Sequence, residues 1–181
     1  MDLKGNKIFL KFLETSDTEA VLNLEVENKN FFQDYGPLRE GDFYTLEGQR
    51  NRIKRNHEAM EKDLYYDFGV YQCETNKLIG LIHLSGVVRG PLQSAWLGYY
   101  LDKNHNGKGY MTEAVKLIVS YAFEQLNLHR IEAGVMPHNV GSIKVLEKAG
   151  FLKEGIARKN VKINGKWEDH QTLAIINGIS S

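Results

Sequence analysis

Residues 103–113, KNHNGKGYMTE, place Gly107 and Gly109 immediately before a segment with the pattern of a helix. The first N–H groups of a helix have no intrahelical partner, and the helix dipole adds partial positive charge there. Glycine also lets the backbone approach a ligand where a Cβ atom would clash. The stretch is therefore suited to binding a phosphate. An ordinary strand-to-helix turn explains the same residues, and this stretch alone leaves both interpretations open.

A second polar helix start lies in VMPHNVGSIKVLEKAGF (135–151). Asn139 is suited to cap this helix, and Ser142 follows in its first turn. Taken alone, these two residues are typical of a helix cap and a solvated serine. Two strands that each end at a polar helix start nevertheless describe a crevice at the strand ends, where small ligands bind in sheets with parallel pairs.

The elements that must position these residues follow from the hydrophobic pattern. Strands are predicted at 7–13, 65–72, 77–87, 94–102, 130–135, 151–159 and 169–176, and helices at 17–29, 45–61, 112–126 and 139–149. Ser16 and Glu19 match a capping box, Gly150 is expected to end the last helix, and Asn164-Gly165 is expected to be a hairpin turn. Residues 31–44 and 86–93 are predicted loops. The order of elements predicts one α+β domain with a mixed sheet, spanning 1–181.

The composition excludes several classes of protein. Hydrophobic residues make up 42% of the chain, enough for a folded core. Lys+Arg and Asp+Glu both number 23, which gives a formal net charge of zero. A protein that binds nucleic acid normally has an excess of basic residues. The single cysteine, Cys73, allows no internal disulfide, and the histidines lack metal-binding spacings. No apolar run is long enough for a signal peptide or a membrane span, so we expect a cytoplasmic protein without membrane or direct nucleic-acid binding.

Two segments resemble the GNAT superfamily of N-acetyltransferases. WLGYYLDKNHNGKGYMTEAV is similar to its motif A, and HRIEAGVMPHNVGSIKVLEKAGF to its motif B. GVVRGPLQSAWLGYYLD and NGKWEDH resemble the RimJ side of the RimJ/RimL ribosomal-protein alanine N-acetyltransferases, so that the similarity runs from Leu78 to Ile176. The resemblance implies acetyl-CoA as cosubstrate and a GNAT fold, and the histidine spacings predict no metal. That fold is α+β, with about seven strands in a mostly antiparallel twisted sheet, a central splayed parallel pair and about four helices.

The resemblance also implies which residues bind acetyl-CoA. The family pattern Q/R-x-x-G-x-G/A falls on 106–111, with Asn106 in place of Gln or Arg and Met111 in place of a small residue. Because backbone N–H groups bind the pyrophosphate, we expect binding to survive both departures. The pantetheine arm is expected along 100–102, with Asn139 binding its amides. The full expected set is Tyr100, Leu101, Asp102, Asn106, Gly107, Lys108, Gly109, Tyr110, Met111, Thr112, Asn139 and Ser142.

Direct attack of an amine on the thioester needs a neutral amine and a proton for the leaving thiolate. Many relatives supply that proton from a tyrosine at the position of Leu146, and the RimL-like pattern implies Ser142 instead. The glutamates that serve relatives as base are replaced by Trp96 and Val161. Four candidates for the base remain open: His83, Asp169, His170 and Glu132. We retain His83 and Asp169 beside Ser142 as the candidate catalytic residues.

The pKa of the acceptor amine helps to predict the substrate. An α-amino group has a pKa of ~7.7–8.0 and a lysine ~10.4, so an enzyme without an obvious strong base is better suited to an α-amine. We therefore expect the acceptor to be a protein N-terminus, by resemblance that of a ribosomal protein beginning with Ala or Ser. A small amine (an amino acid, a polyamine or an antibiotic) and a non-catalytic acyl-CoA sensor are the alternatives. The sequence leaves open whether the protein is a monomer or a homodimer.

Overall fold

The computed structural model describes residues 2–39 and 41–178, so Glu40 of the predicted loop 31–44 lies outside the described residues. In the described part, eight strands form one sheet and five α-helices pack on it. The strands are β1 (Asp2–Lys4), β2 (Ile8–Phe12), β3 (Tyr65–Gln72), β4 (Leu78–Val88), β5 (Ser94–Leu101), β6 (Arg130–Val135), β7 (Leu152–Ile163) and β8 (Lys166–Ile176). The helices are α1 (Thr18–Glu27), α2 (Lys29–Gln33), α3 (Leu46–Glu61), α4 (Tyr110–Glu124) and α5 (Val140–Lys148), with 3₁₀ turns at Thr15–Asp17 and Lys103–His105.

The sheet confirms the predicted α+β GNAT architecture. The strand order is β1-β2-β3-β4-β5-β6-β8-β7, and every neighbouring pair is antiparallel except β5 with β6. The described part has one strand and one helix more than predicted. The extra strand, β1, is three residues long and only pairs with β2. The extra helix, α2, lies in a segment predicted as loop, where Phe32 is buried and its ring is 5.2 Å from that of Tyr100.

The core lies on both faces of the sheet. Successive side chains of a strand point to opposite faces. On β4, Ile82 and Leu84 accordingly join a core with Ile118 of α4, while Leu81 joins a second core with Val21 of α1 and Ile53 of α3. Helices α4 and α5 therefore cover one face, and α1, α2 and α3 cover the other.

Short sequence signals predicted most of the helix and strand ends, and the structure corrects two of these predictions. The capping box predicted at Ser16 and Glu19 is wrong, because α1 begins at Thr18 and the box lies one turn earlier. There the Asp17 carboxylate accepts from the Glu14 N–H at 2.8 Å. Helix α4 begins at Tyr110, two residues before the predicted start, because Gly109 occupies its N-cap.

Two predicted turns are confirmed. Gly150 follows α5 with φ 101°, where a left-handed residue ends a helix, and the Phe151 N–H returns to the Leu146 carbonyl at 3.0 Å. Asn164 and Gly165, with φ 45° and 80°, form the two-residue connection between β7 and β8. These positive φ values match the twist of the flanking strands.

The feature that positions the site is the short pairing of β5 with β6. These parallel strands pair only over Ser94–Trp96 and Arg130–Glu132, although β5 runs on to Leu101 and β6 to Val135. Beyond the pairing the strands diverge, as predicted for the central pair. Their backbone N–H and C=O groups facing the gap lose their sheet partners there and are available to a ligand.

The predicted loop 86–93 is tied to the helix ends beside it. The Arg89 guanidinium donates to both carboxylate oxygens of Asp63 at 2.6 and 2.8 Å and to the Leu126 carbonyl at 2.6 Å. Through Arg89, the loop between β4 and β5 is therefore hydrogen-bonded to the segments that follow α3 and α4. Among the described residues, none of the helices is both long and apolar enough to cross a membrane.

Candidate active site

The gap between β5 and β6 opens into a cleft of ≈ 660 Å³. Its walls come from β5 and β6, the first turn of α4, one side of α5, and α2, together with His83 of β4 and His170 of β8. A volume of this size is typical of a site for a small molecule or cofactor, since such pockets span ~300–1,000 Å³. Residues on both faces of the sheet therefore line the cleft.

The start of α4 forms one end of the cleft, as the glycine stretch predicts. Gly107 and Gly109 have φ of 77° and 81°, a left-handed conformation that favours glycine, and a Cβ at either would meet no atom within 4 Å. The first helical hydrogen bond runs from the Glu113 N–H to the Gly109 carbonyl at 3.1 Å. The three preceding N–H groups, at 110–112, thus lack an intrahelical acceptor. This arrangement fits the pyrophosphate of acetyl-CoA.

Side chains around this loop hold its conformation. The Glu113 carboxylate accepts from the Lys7 N–H at 3.0 Å, and the Lys7 ammonium donates to the Lys108 carbonyl at 3.3 Å. The Asp102 carboxylate accepts from His105 Nδ1 at 2.8 Å. Asp102 and Lys108 are not among the residues that line the cleft. The structure places these two in the supporting loop, whereas the other ten residues of the predicted acetyl-CoA set line the cleft.

The start of α5 brings Ser142 to the cleft beside a second hydroxyl. Asn139 caps the helix, its side-chain oxygen accepting from the Ser142 N–H at 3.3 Å. Ser142 Oγ lies 2.7 Å from Tyr99 Oη, which also donates to the Ser142 carbonyl at 3.2 Å. Burial raises the pKa of Tyr99 to about 12, so this phenol stays protonated at neutral pH. Sequence reasoning missed Tyr99, although strand alternation does separate it from its neighbour Tyr100.

Two lysines of α5 are further residues that sequence reasoning missed. Lys144 and Lys148 are four residues apart on one helix face, and both line the cleft. Their ammonium groups suit the phosphates of acetyl-CoA. No aspartate or glutamate is found among the described residues that line the cleft. The site is therefore electropositive at its α5 wall and offers no carboxylate to a cation.

The four candidates for the base occupy different surroundings. Glu132 accepts from the Arg130 guanidinium at 3.0 Å, and Asp169 accepts from the Lys159 N–H at 2.9 Å. Neither of these carboxylates lines the cleft, whereas the two histidines, His83 and His170, do. The structure therefore brings only the histidine candidates to the site.

His83 lies above β5 on the face opposite α4. Its ring stacks on Tyr65 at 5.2 Å between centroids, and a Cβ at Gly98 would collide with the His83 ring. Burial, with the nearby Arg52 and Arg39 guanidinium groups, lowers the pKa of His83 to about 4. The imidazole is thus neutral at physiological pH.

The same face of the cleft is bordered by aromatic side chains and by the tip of the β7–β8 hairpin. Phe31, Phe32 and Tyr35 line it. At the hairpin tip the Asn164 N–H donates to the Gly36 carbonyl at 3.0 Å. The segment after α2 and the β7–β8 hairpin therefore meet at this border. Within the described part of the chain, no group of three or more His, Cys, Asp or Glu is placed to hold a metal ion.

Comparison with known proteins defines the class. The chain belongs to the acetyltransferase (GNAT) domain family, whose model matches residues 7–152. It is therefore an acetyl-CoA-dependent N-acetyltransferase, as the motifs predict. The chain is 59% identical to the probable N-acetyltransferase YjcK of Bacillus subtilis (strain 168), with 97% of each protein covered.

Two relatives named for a ribosomal substrate are also similar over most of their length. The ribosomal protein uS5 alanine N-acetyltransferase of Escherichia coli (strain K12) is 30% identical over 96% of this chain and 89% of that protein. The crystal structure of the ribosomal-protein-S5-alanine acetyltransferase from Vibrio fischeri matches with a TM-score of 0.93 and 34% identity, covering 98% of this chain and 97% of that one. The predicted RimJ/RimL resemblance is confirmed.

Proposed function

We propose that this N-acetyltransferase acetylates the N-terminal α-amine of a protein, with ribosomal proteins beginning with Ala or Ser as the first candidates. The observation that carries the proposal is that the described residues lining the cleft include no carboxylate. The names of the Escherichia coli and Vibrio fischeri relatives support a ribosomal acceptor.

The charge of the cleft disfavours a polycationic acceptor. A polyamine brings several ammonium groups, and moving an ammonium out of water is costly unless a carboxylate or a set of acceptors replaces its solvation. A peptide N-terminus brings one positive charge, and it loses that charge when the amine becomes the nucleophile. With an α-amino pKa of ~7.7–8.0, roughly a tenth of the amine is already neutral at pH 7. A singly charged α-amine therefore suits this site better than a polyamine.

The diverging strands also suit a peptide. Beyond Trp96 and Glu132, both β5 and β6 present unpaired backbone groups to the gap. One edge is available to the pantetheine arm, with its amides, and the other to the backbone of an extended acceptor. The aromatic side chains of α2 can then pack against the first residues of that acceptor.

Ser142 and Tyr99 supply the acid side of the proposed reaction. The amine nitrogen forms a bond to the acetyl carbon, the carbon–sulfur bond breaks, and the sulfur receives a proton from Ser142 Oγ. Tyr99 Oη, 2.7 Å from Ser142 Oγ, donates to the serine oxygen as its proton leaves. Because the pKa of Tyr99 is about 12, it remains a donor throughout.

Thiol release measured with a panel of acceptors tests the proposal. Peptides beginning with Ala, Ser and Met, their N-formylated forms, free alanine and spermidine are compared at matched concentrations. We expect turnover with the free Ala and Ser peptides and none with the blocked forms. Turnover confined to spermidine or free alanine would contradict a protein acceptor, while leaving the acetyltransferase class intact.

Replacing Tyr99 by phenylalanine is expected to lower kcat by about threefold to tenfold, the effect of losing one hydrogen bond of ~0.5–1.5 kcal/mol in the transition state. The ring stays in place, so the affinity for acetyl-CoA should not change. Steady-state kinetics and calorimetry measure the two quantities. Tyr121→Phe is the matched control, since Tyr121 is buried in the core away from Ser142. An unchanged kcat for Tyr99→Phe would show that its bond to Ser142 is only structural.

A further inference from the structure

His170 lies on β8, which pairs with the edge of β6 that faces away from β5. It lines the cleft and is 5% exposed. A Cβ at Gly134 would lie 3.6 Å from His170 Cβ and 3.7 Å from its Cδ2. Gly134 is two residues beyond Glu132, the last residue of β6 that pairs with β5. The imidazole therefore lies over β6 at the border of the gap and lines the cleft.

The contacts of the ring define which nitrogen carries the proton. His170 Nδ1 is 3.2 Å from the Glu168 carbonyl oxygen and 3.0 Å from the Asn160 side-chain oxygen. A backbone carbonyl only accepts, so Nδ1 must be the donor. The neutral ring then has its lone pair on Nε2, which forms no hydrogen bond to a described residue. The geometry points to His170 Nε2 as the general base that takes the proton of the attacking amine.

The sheet register places this base opposite the acid. Trp96 pairs with Glu132, so Gly98 and Gly134, two residues further along each strand, face the same side. His83 and His170 lie over these two glycines. Tyr99 points to the other face, where it bonds Ser142. An amine that enters from the histidine face and a sulfur that leaves toward Ser142 are thus on opposite sides of the reacting carbon.

The other three candidates are less suited to the role. Arg130 binds the Glu132 carboxylate, and Asp169 accepts a backbone hydrogen bond, both outside the cleft lining. His83 lines the cleft, but its pKa of about 4 makes proton transfer from an ammonium of pKa ~8 unfavourable by roughly four units. The side chain and backbone carbonyl that bond His170 Nδ1 are uncharged, and so is Gly134 beneath the ring.

The proton balance of the step is complete. His170 Nε2 takes a proton from the bound ammonium before the attack, which leaves a neutral amine. The amine nitrogen then gives a second proton to solvent as it bonds to the acetyl carbon, while Ser142 gives one to the departing sulfur. The imidazolium returns its proton to solvent and the serine takes one back, so that both residues end the cycle unchanged. The inference rests on the acetyl transfer, and it holds for a peptide and for a small amine alike.

The test is His170→Asn, measured with an acceptor that the wild-type enzyme turns over. An asparagine side-chain nitrogen can donate to the Glu168 carbonyl in place of Nδ1, but it offers no base. We expect kcat at pH 7 to fall about 100-fold, within the ~10²–10⁴ of general-base catalysis, with acetyl-CoA affinity and Tm unchanged. At pH 9.5 the loss should shrink for a peptide, because its α-amine is already neutral there; for a small amine, the higher pH is set above the pKa of that amine. His83→Asn is the matched control and should show no loss that depends on pH.

Four results would overturn the assignment. They are full activity of His170→Asn, an equal loss at pH 7 and 9.5, a pH-dependent loss in His83→Asn instead, or an Nε2-protonated ring. The position of the ring proton is measured without any acceptor by long-range proton–nitrogen NMR of the histidines at pH 8. We expect Nδ1 to be protonated and Nε2 to be unprotonated. A failure of peptides in the acceptor panel would leave this inference untouched, because the variant is then assayed with the small amine that is turned over.

Discussion

Replacing Ser142 by alanine is expected to lower kcat about 100-fold, the lower end of the range for a general acid. The leaving thiolate would lose its proton donor, and this interaction is made only in the transition state. The hydroxyl is bonded to Tyr99, while the Asn139 cap uses the Ser142 backbone N–H, so the helix start should persist. Calorimetry with acetyl-CoA should therefore give an affinity within about twofold of wild type.

Two comparisons make this result specific. Ser120→Ala, on the exposed side of α4, controls for loss of a hydroxyl elsewhere and should leave kcat unchanged. Adding Tyr99→Phe to Ser142→Ala should lower kcat little further, because residues that act through one another are not additive. Weaker acetyl-CoA binding with normal kcat would instead make Ser142 a binding residue.

Replacing Gly109 by valine is expected to raise the Kd for acetyl-CoA at least tenfold, or about 1.4 kcal/mol. The new side chain would project into space that is open in the protein and that the pyrophosphate is expected to occupy. The left-handed φ of 81° adds strain of about 1–2 kcal/mol for a residue with a Cβ. Both effects act on binding or stability, so calorimetry and thermal unfolding are the measurements.

Gly90→Val separates the two effects. Gly90 has φ of 66° with nothing within 4 Å of its Cβ position, and it lies in the loop after β4, outside the cleft lining. Its variant should lose a similar amount of stability and keep normal affinity for acetyl-CoA. Equal affinity in the two variants would mean that the α4 start does not bind the pyrophosphate.

Most signals that act within a few residues were predicted well, although the capping box at Ser16 and Glu19 was wrong. The left-handed Gly107 and Gly109, the Asn139 cap and the Asn164-Gly165 turn all depend on local backbone conformation, which the residue types dictate directly. The elements that were missed, β1 and α2, are three and five residues long. Such short elements are held by their neighbours in the fold rather than by their own propensity.

By itself, the sequence determined the α+β GNAT class, the glycine-rich start of α4 and the presence of Ser142 at a second helix start. Only the tertiary structure decided which side chains meet. Tyr99 and Tyr100 are adjacent, and the face that carries α5 selects Tyr99 as the partner of Ser142. Likewise, the sequence left four candidates for the general base, and the pairing of β8 with β6 placed one of them, His170, over Gly134. A one-residue slip in that register would turn His170 to the other face, and register is set by burial of the whole sheet.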